Sequence, residues 1–224
     1  MAQDSGRSQN QRRCLYIESS PRKARSASTT AAGVFLAELS GLYPEVLIDR
    51  LDLWNADLPD FTGAAIEAKY AKLAGLPQSD AQQAAWQQIG QFVAQLKSAD
   101  AIVVSTPMWN FGIPYKLKHW IDLITQPGLT FTFDPVAGYS PLLDTKPTLV
   151  ILSSAGDYTN GPSRGRPDLA TPYLNAALKF IGLGDISFVP VGPTVGTTKE
   201  VATGRVTAER SLLALAGSFM GAAR

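Results

Sequence analysis

Three stretches of this 224-residue chain carry residue types and spacings that could do chemistry. The first, "ESSPRKARSAST" over 18–29, sets Ser19, Ser20, Ser26, Ser28 and Thr29 among Arg22, Lys23 and Arg25. Hydroxyl donors, cations and the unpaired N–H groups of a helix that begins near Ser26 are what a phosphate monoester needs. Neither the glycine-rich dinucleotide pattern nor a P-loop lysine motif is present. The stretch is therefore a hydroxyl-rich phosphate loop or, alternatively, a capped helix behind a solvated basic loop. The second, "STPMWNFGIPYKLKHWID" over 105–122, places Met108, Trp109 and Phe111 around Asn110 directly after an apolar run that closes with Pro107. A planar heteroaromatic ring could rest on Met108 and Trp109, with the amides of Asn110 and Phe111 at its edge. Asn110 and Gly112 would let the backbone come close. Such a cluster also serves as core packing or as a subunit contact. The third, "SSAGDYTNGPSRG" over 153–165, offers the small residues Ser153, Ser154, Ala155 and Gly156. Their N–H groups could stabilise charge on the same ring; alternatively this is a flexible surface loop.

Positioning these stretches requires a scaffold, and the hydrophobic pattern describes one. Strand-like runs at 14–19, 45–53, 101–106, 147–154 and 185–194 alternate with helical segments at 26–41, 63–98, 115–125, 168–182 and 199–222. The segment 63–98 divides at "GLPQSD" (75–80), with Ser79 or Asp80 capping its second half, and Ser26 and Gly41 read as start and stop of the first helix. The runs "AIVVST" and "PTLVILSS" are continuous and apolar, as buried parallel strands are. The pattern predicts one α/β domain over 13–224, a doubly wound five-stranded parallel sheet with helices on both faces. Residues 1–12 read as a disordered extension. In such sheets the ligand lies at the carboxyl ends of the strands, where the strand order reverses. All three chemical stretches follow strands.

Composition removes several alternatives. Twenty basic residues against 19 acidic ones leave a net charge of +1, which gives no electrostatic case for nucleic acid. No apolar run approaches the roughly 18 residues of a membrane span. The Arg12–Arg13 pair invites an export reading, but "CLYIES" behind it is strand-like rather than a long helical apolar region. Cys14 is the one cysteine and His119 the one histidine. A disulfide within the chain is thus excluded, most zinc sites are too, and a reducing, cytoplasmic setting is expected.

The segments "ESSPRKARSAS", "PMWNFGIPYKLKHWID", "GLTFTF" and "TPYLNAALKFIGLGDI" together resemble the FMN-dependent NAD(P)H azoreductase and quinone-reductase family, whose fold is flavodoxin-like. The resemblance runs from about Cys14 to the C-terminus. It implies FMN as bound cofactor, with NADH or NADPH as electron donor and a quinone or azo compound as acceptor. It places the FMN phosphate and ribityl chain on Ser20, Ser26, Ala27 and Ser28. It sets the isoalloxazine against Pro107, Met108, Trp109, Asn110 and Phe111, and assigns Ser153, Ser154, Ala155 and Gly156 to the fourth-strand loop near N1 and O2. Trp109 stands where a tyrosine is common in the family, and "SSAG" replaces a loop often richer in glycine or arginine. The resemblance also implies a homodimer that closes its active site with the region "GLTFTFDPVAGYSPLL" (128–143), where Phe131, Phe133 and Tyr139 read as exposed.

If the cofactor carries the chemistry, no catalytic side chain is needed. His119 then reads as a helix-surface residue more readily than as a proton donor, and Cys14 as inert packing. Asp157 and Tyr158 are candidates for shaping a substrate pocket. Two other classes remain: a flavodoxin-like electron carrier without its own reductase activity, and a phosphodiester or ester hydrolase. Carriers of the first kind are usually shorter and strongly acidic. The second lacks a G-x-S-x-G elbow and a histidine on the expected element.

Overall fold

The computed structural model describes residues 11–221. Most of the extension expected at 1–12 lies outside the described residues, and the last helix, expected to reach about Ala222, stops at Phe219. Arg12 is already engaged, since its carbonyl accepts from Leu47 N–H at 2.9 Å and its guanidinium lies 5.7 Å from the Tyr43 ring centre.

The sheet contains β1 (Arg13–Glu18), β2 (Leu47–Asp52), β3 (Ala101–Pro107), β6 (Thr148–Ser153) and β7 (Ile186–Val191). They pair in the order β2-β1-β3-β6-β7, every neighbour parallel, which is the predicted flavodoxin-like order with its reversal between β1 and β3. Side-chain alternation divides the core in two. Leu15, Ile17, Ile102, Val104 and Val150 face α2 (Ala64–Ala74), α3 (Asp80–Ser98), α4 (Tyr115–Ile124) and α5 (Ala170–Phe180). Cys14, Tyr16, Val103, Leu149 and Ile151 face α1 (Ala27–Leu42) and α6 (Thr198–Phe219). Burial pushes the Cys14 thiol up to about 12, so it packs and does not react.

Local chemistry explains most boundaries. Ser26 caps α1 by accepting from Thr29 N–H at 3.4 Å, and Ser79 with Gln82 forms a capping box on α3. Gly75, in the left-handed region at φ 66°, closes α2. The stop expected at Gly41 is displaced. α1 runs through it to Leu42, and Pro44 ends the helix because it drives Tyr43 out of the helical region, to φ −131° and ψ 72°.

The 128–143 excursion forms an antiparallel pair, β4 (Phe131–Asp134) and β5 (Gly138–Pro141). Phe131, expected to be exposed, is buried 5.0 Å from the Phe180 ring, while Phe133 and Tyr139 are exposed. Among the described residues no helix is long and apolar enough to cross a membrane.

Candidate active site

Four strand exits meet at one edge of the sheet and enclose a cleft of about 580 Å³. After β1, the loop runs through a single 3-10 turn (Lys23–Arg25) into the N-terminus of α1. Ser20 and Ser26 are buried in the cleft wall beside Ala27, and Ser26 Oγ lies 3.1 Å from Ser28 Oγ. The N–H groups of Ala27 and Ser28 are donated to nothing among the described residues, so two donors and two hydroxyls gather at the positive end of a 16-residue helix. Ser28 itself lies behind the wall, in contact with the cleft only through Ser26.

One expected cation is diverted. Lys23, at φ 52°, pairs with Asp52 and stands 3.7 Å from the buried Glu18, whose other partner is Arg50. Burial alone would raise the Asp52 carboxyl, but Lys23, the Trp54 N–H and Arg50 outweigh it and hold it below its ordinary value. Lys23 therefore fastens the loop to β2, and the charge left at the cleft comes from Arg22, Arg25 and, from α6, Arg205.

After β3, Pro107, Met108 and Trp109 line the cleft. Met108 N–H bonds Ser153 carbonyl at 2.7 Å, tying this exit to the next. Trp109 and Gly112 exchange two backbone hydrogen bonds of 2.9 Å, which makes a two-residue turn with Asn110 and Phe111 at its tip. The left-handed positions of that turn are Asn110 (φ 48°) and Phe111 (φ 71°). Two residues at positive φ are what a type I′ turn demands, and a bulky aromatic there stores strain of about 1–3 kcal/mol. Neither tip N–H has an acceptor among the described residues. Asn110 and Phe111 lie at the lip, outside the enclosed volume.

Trp54 was not singled out from the sequence. It stands just past β2, its indole N–H donates to Ser19 carbonyl at 2.8 Å, and its ring centre lies 6.0 Å from Trp109 and 5.3 Å from Tyr115. An aromatic at a further strand exit was the available signal.

After β6, Ser153, Ser154 and Ala155 line the cleft, and the N–H groups of Ala155 and Gly156 are unpaired among the described residues. Gly156 faces a neighbouring groove of about 930 Å³, where a Cβ would stand 2.3 Å from Ser163 Oγ and 2.8 Å from an Arg166 guanidinium nitrogen. Asp157 borders the same groove, its carboxyl held low by Thr159. The exit of β7, also missed, completes the wall: Thr194 N–H and Oγ1 both donate to Ser154 carbonyl, at 2.9 and 3.0 Å. His119 is away from the cleft, hydrogen-bonded to Pro59 carbonyl at 2.9 Å.

A family profile described as a flavodoxin-like fold matches residues 12–215. The chain is 47% identical over 205 residues, 92% of its length and 98% of the relative's, to an "FMN-dependent NADH:quinone oxidoreductase 1" of Bradyrhizobium diazoefficiens. The chain belongs to the FMN-dependent NADH:quinone oxidoreductase family. A second member, from Desulfotalea psychrophila, is 42% identical over 90% of this chain and 93% of its own. A crystal structure of an FMN-dependent NADH-azoreductase from Bacillus anthracis in complex with FMN superposes with a TM-score of 0.79. It shares 26% identity and covers 92% of this chain and 99% of that one.

The three exits fit FMN by their own chemistry. Among the described residues six N–H groups lack an acceptor, in pairs after β1, β3 and β6, which is donor chemistry suited to a phosphate and to the polar edge of a ring.

Proposed function

We propose that the chain binds FMN across the β1, β3 and β6 exits and is an FMN-dependent NAD(P)H:acceptor oxidoreductase. The observation that carries this reading is one cleft at the strand exits, walled by Ser20, Ser26 and Arg22 at one end and by Met108 and Trp109 at the other, with the unpaired N–H groups of Ala27 and Ala155 in its wall. When bound, FMN supplies the redox chemistry: hydride acceptance at N5 from NADH or NADPH and delivery of two electrons to a quinone or azo compound, in a ping-pong sequence. The protein holds and orients. Ser20, Ser26, Ala27 and Ser28 take the phosphate end, Met108 and Trp109 give the ring a flat support, and the amides of Asn110 and Phe111 face its edge. Ser153 and Ser154 line the pyrimidine side, where Ala155 and Gly156 offer N–H groups to gathering negative charge. A hydrolase reading finds no base, because His119 is engaged at Pro59.

The test is spectroscopic. Protein mixed with FMN and freed of excess should keep flavin absorbance, bleach it with anaerobic NADH and regain it on addition of a quinone. Retained flavin that NADH cannot bleach would leave an electron carrier; no retained flavin would end the FMN reading.

We place the protein as a homodimer in the cytoplasm, where NADH is available. The support is a cluster of exposed aromatic rings in mutual contact, Phe133, Tyr139 and Phe180, on the β4–β5 pair and the end of α5. Sedimentation velocity should give one species at twice the 23.9 kDa chain mass. A species of single-chain mass at micromolar concentration rules that interface out.

A further inference from the structure

We propose that Arg205, on the C-terminal helix α6, is a cofactor-binding residue that closes the phosphate end of the cleft from the wall opposite the serines. This rests on the FMN reading above.

The position of Arg205 follows from packing that involves no ligand. Ala208, Leu212, Ala216 and Phe219 bury one face of α6 against Ala31, Ala32 and Phe35 of α1, and the Phe35 and Phe219 rings meet edge-on at 5.0 Å. Nearer its start, α6 rests on the β7 exit through Gly204, where a Cβ would stand 2.1 Å from Gly192 carbonyl oxygen. The helix is thus held at both ends, and the residue after Gly204 is fixed over the cleft that Arg22, Arg25 and Ser26 line from the α1 side.

Charge makes the case. Serine hydroxyls and backbone amides donate hydrogen bonds but leave most of a phosphate's charge uncompensated, and Lys23 is engaged with Asp52 and Glu18. Among the cleft residues, three guanidinium groups stand against one carboxylate, Glu209, leaving two positive charges. A phosphate monoester carries about −1.5 to −2. Arg205 meets Glu209 at 3.7 Å, an exposed contact one helical turn away of the kind that contributes little, so its guanidinium is available to an anion of higher charge. Arg22 and Arg25 sit on the same short loop as the serines. Arg205 alone reaches the site from the other wall, and a phosphate held from two sides is fixed in position as well as neutralised.

The experiment is fluorescence titration of flavin-free protein with FMN and, separately, with riboflavin, which lacks the phosphate, at several salt concentrations. Arg205→Ala should weaken FMN about tenfold and leave riboflavin within about twofold, with a shallower dependence of log Kd on log salt. Arg205→Lys should recover part of the loss, because the charge is kept and the fork is not. Glu209→Gln should tighten FMN. Equal weakening of both flavins in Arg205→Ala, or weakening of neither, overturns the assignment while leaving FMN binding intact. Wild-type protein that binds neither flavin overturns the FMN reading and the assignment with it.

Discussion

Replacing Ser26 and Ser28 together with alanine should weaken FMN binding by on the order of a hundredfold and leave riboflavin within about threefold. A hydrogen bond to a charged group contributes roughly 1.5–3 kcal/mol, and each tenfold in affinity is about 1.4 kcal/mol, so loss of the Ser26 hydroxyl together with the Ser28 hydroxyl that orients it accounts for that size. Ser26 has a second job, however, since its Oγ caps α1 by accepting from Thr29 N–H. Alanine therefore also costs about 1 kcal/mol of stability, which would disturb both flavins alike. Ser26→Asp separates the two roles. Aspartate caps as well as serine, and its charge suits a helix N-terminus, so thermal stability should hold or rise. The same carboxylate repels a phosphate from the position the hydroxyl occupied. Melting temperature unchanged or higher, FMN lost and riboflavin kept would tie Ser26 to the phosphate. FMN retained by Ser26→Asp would remove Ser26 from the site. Ser28 should matter less as a single change, because its hydroxyl is buried and reaches the cleft only through Ser26 Oγ.

The parts of this site that the sequence disclosed are those set by neighbours along the chain. Apolar runs marked β3 and β6, cap residues marked the helix starts, and a rule about parallel sheets pointed to their carboxyl ends. What it concealed was set by contacts across the chain. Arg22, Lys23 and Arg25 look equivalent in sequence, yet Lys23 is withdrawn because Asp52 and the buried Glu18 arrive from β2 and β1. Arg205, about 180 positions later, takes the vacated role only because α6 packs along α1. Trp54 and Thr194 were hidden in the same way, each being ordinary until β2 and β7 bring it to the shared edge. The turn after Trp109 was hidden for a different reason. Nothing in "WNFG" announces left-handed backbone at a phenylalanine, but the reciprocal Trp109–Gly112 hydrogen bonds place Asn110 and Phe111 there, and local propensity gave way to the register of the turn.

The largest stability effect is expected at Gly204, and it runs against the usual rule for helices. Glycine within a helix is ordinarily worse than alanine by about 0.5–1 kcal/mol. Gly33, exposed in the middle of α1 with nothing within 4 Å of where an added methyl would stand, should follow that rule, so Gly33→Ala should stabilise. At Gly204 the methyl would meet Gly192 O at 2.1 Å, Gly192 C at 2.7 Å and Pro193 Cδ at 3.2 Å. Two of those three atoms are backbone, so no rotamer change relieves the contact, and either α6 or the β7 exit must shift. Overpacking of this kind costs about 1–3 kcal/mol or more. The displacement also has a functional direction, because Gly192 is itself pressed on Gly156 carbonyl, 2.5 Å from where its own Cβ would lie, and Ser154 is held by Thr194. Moving α6 outward therefore shifts Arg205 away from the phosphate end and loosens the β6 loop together. Gly204→Ala should lower the urea midpoint and weaken FMN and riboflavin both, unlike any change confined to the phosphate end. Chemical denaturation of Gly33→Ala and Gly204→Ala beside the wild type should give opposite signs. A stabilised Gly204→Ala would mean that α6 has room there, and the close contact that fixes Arg205 over the cleft would be gone.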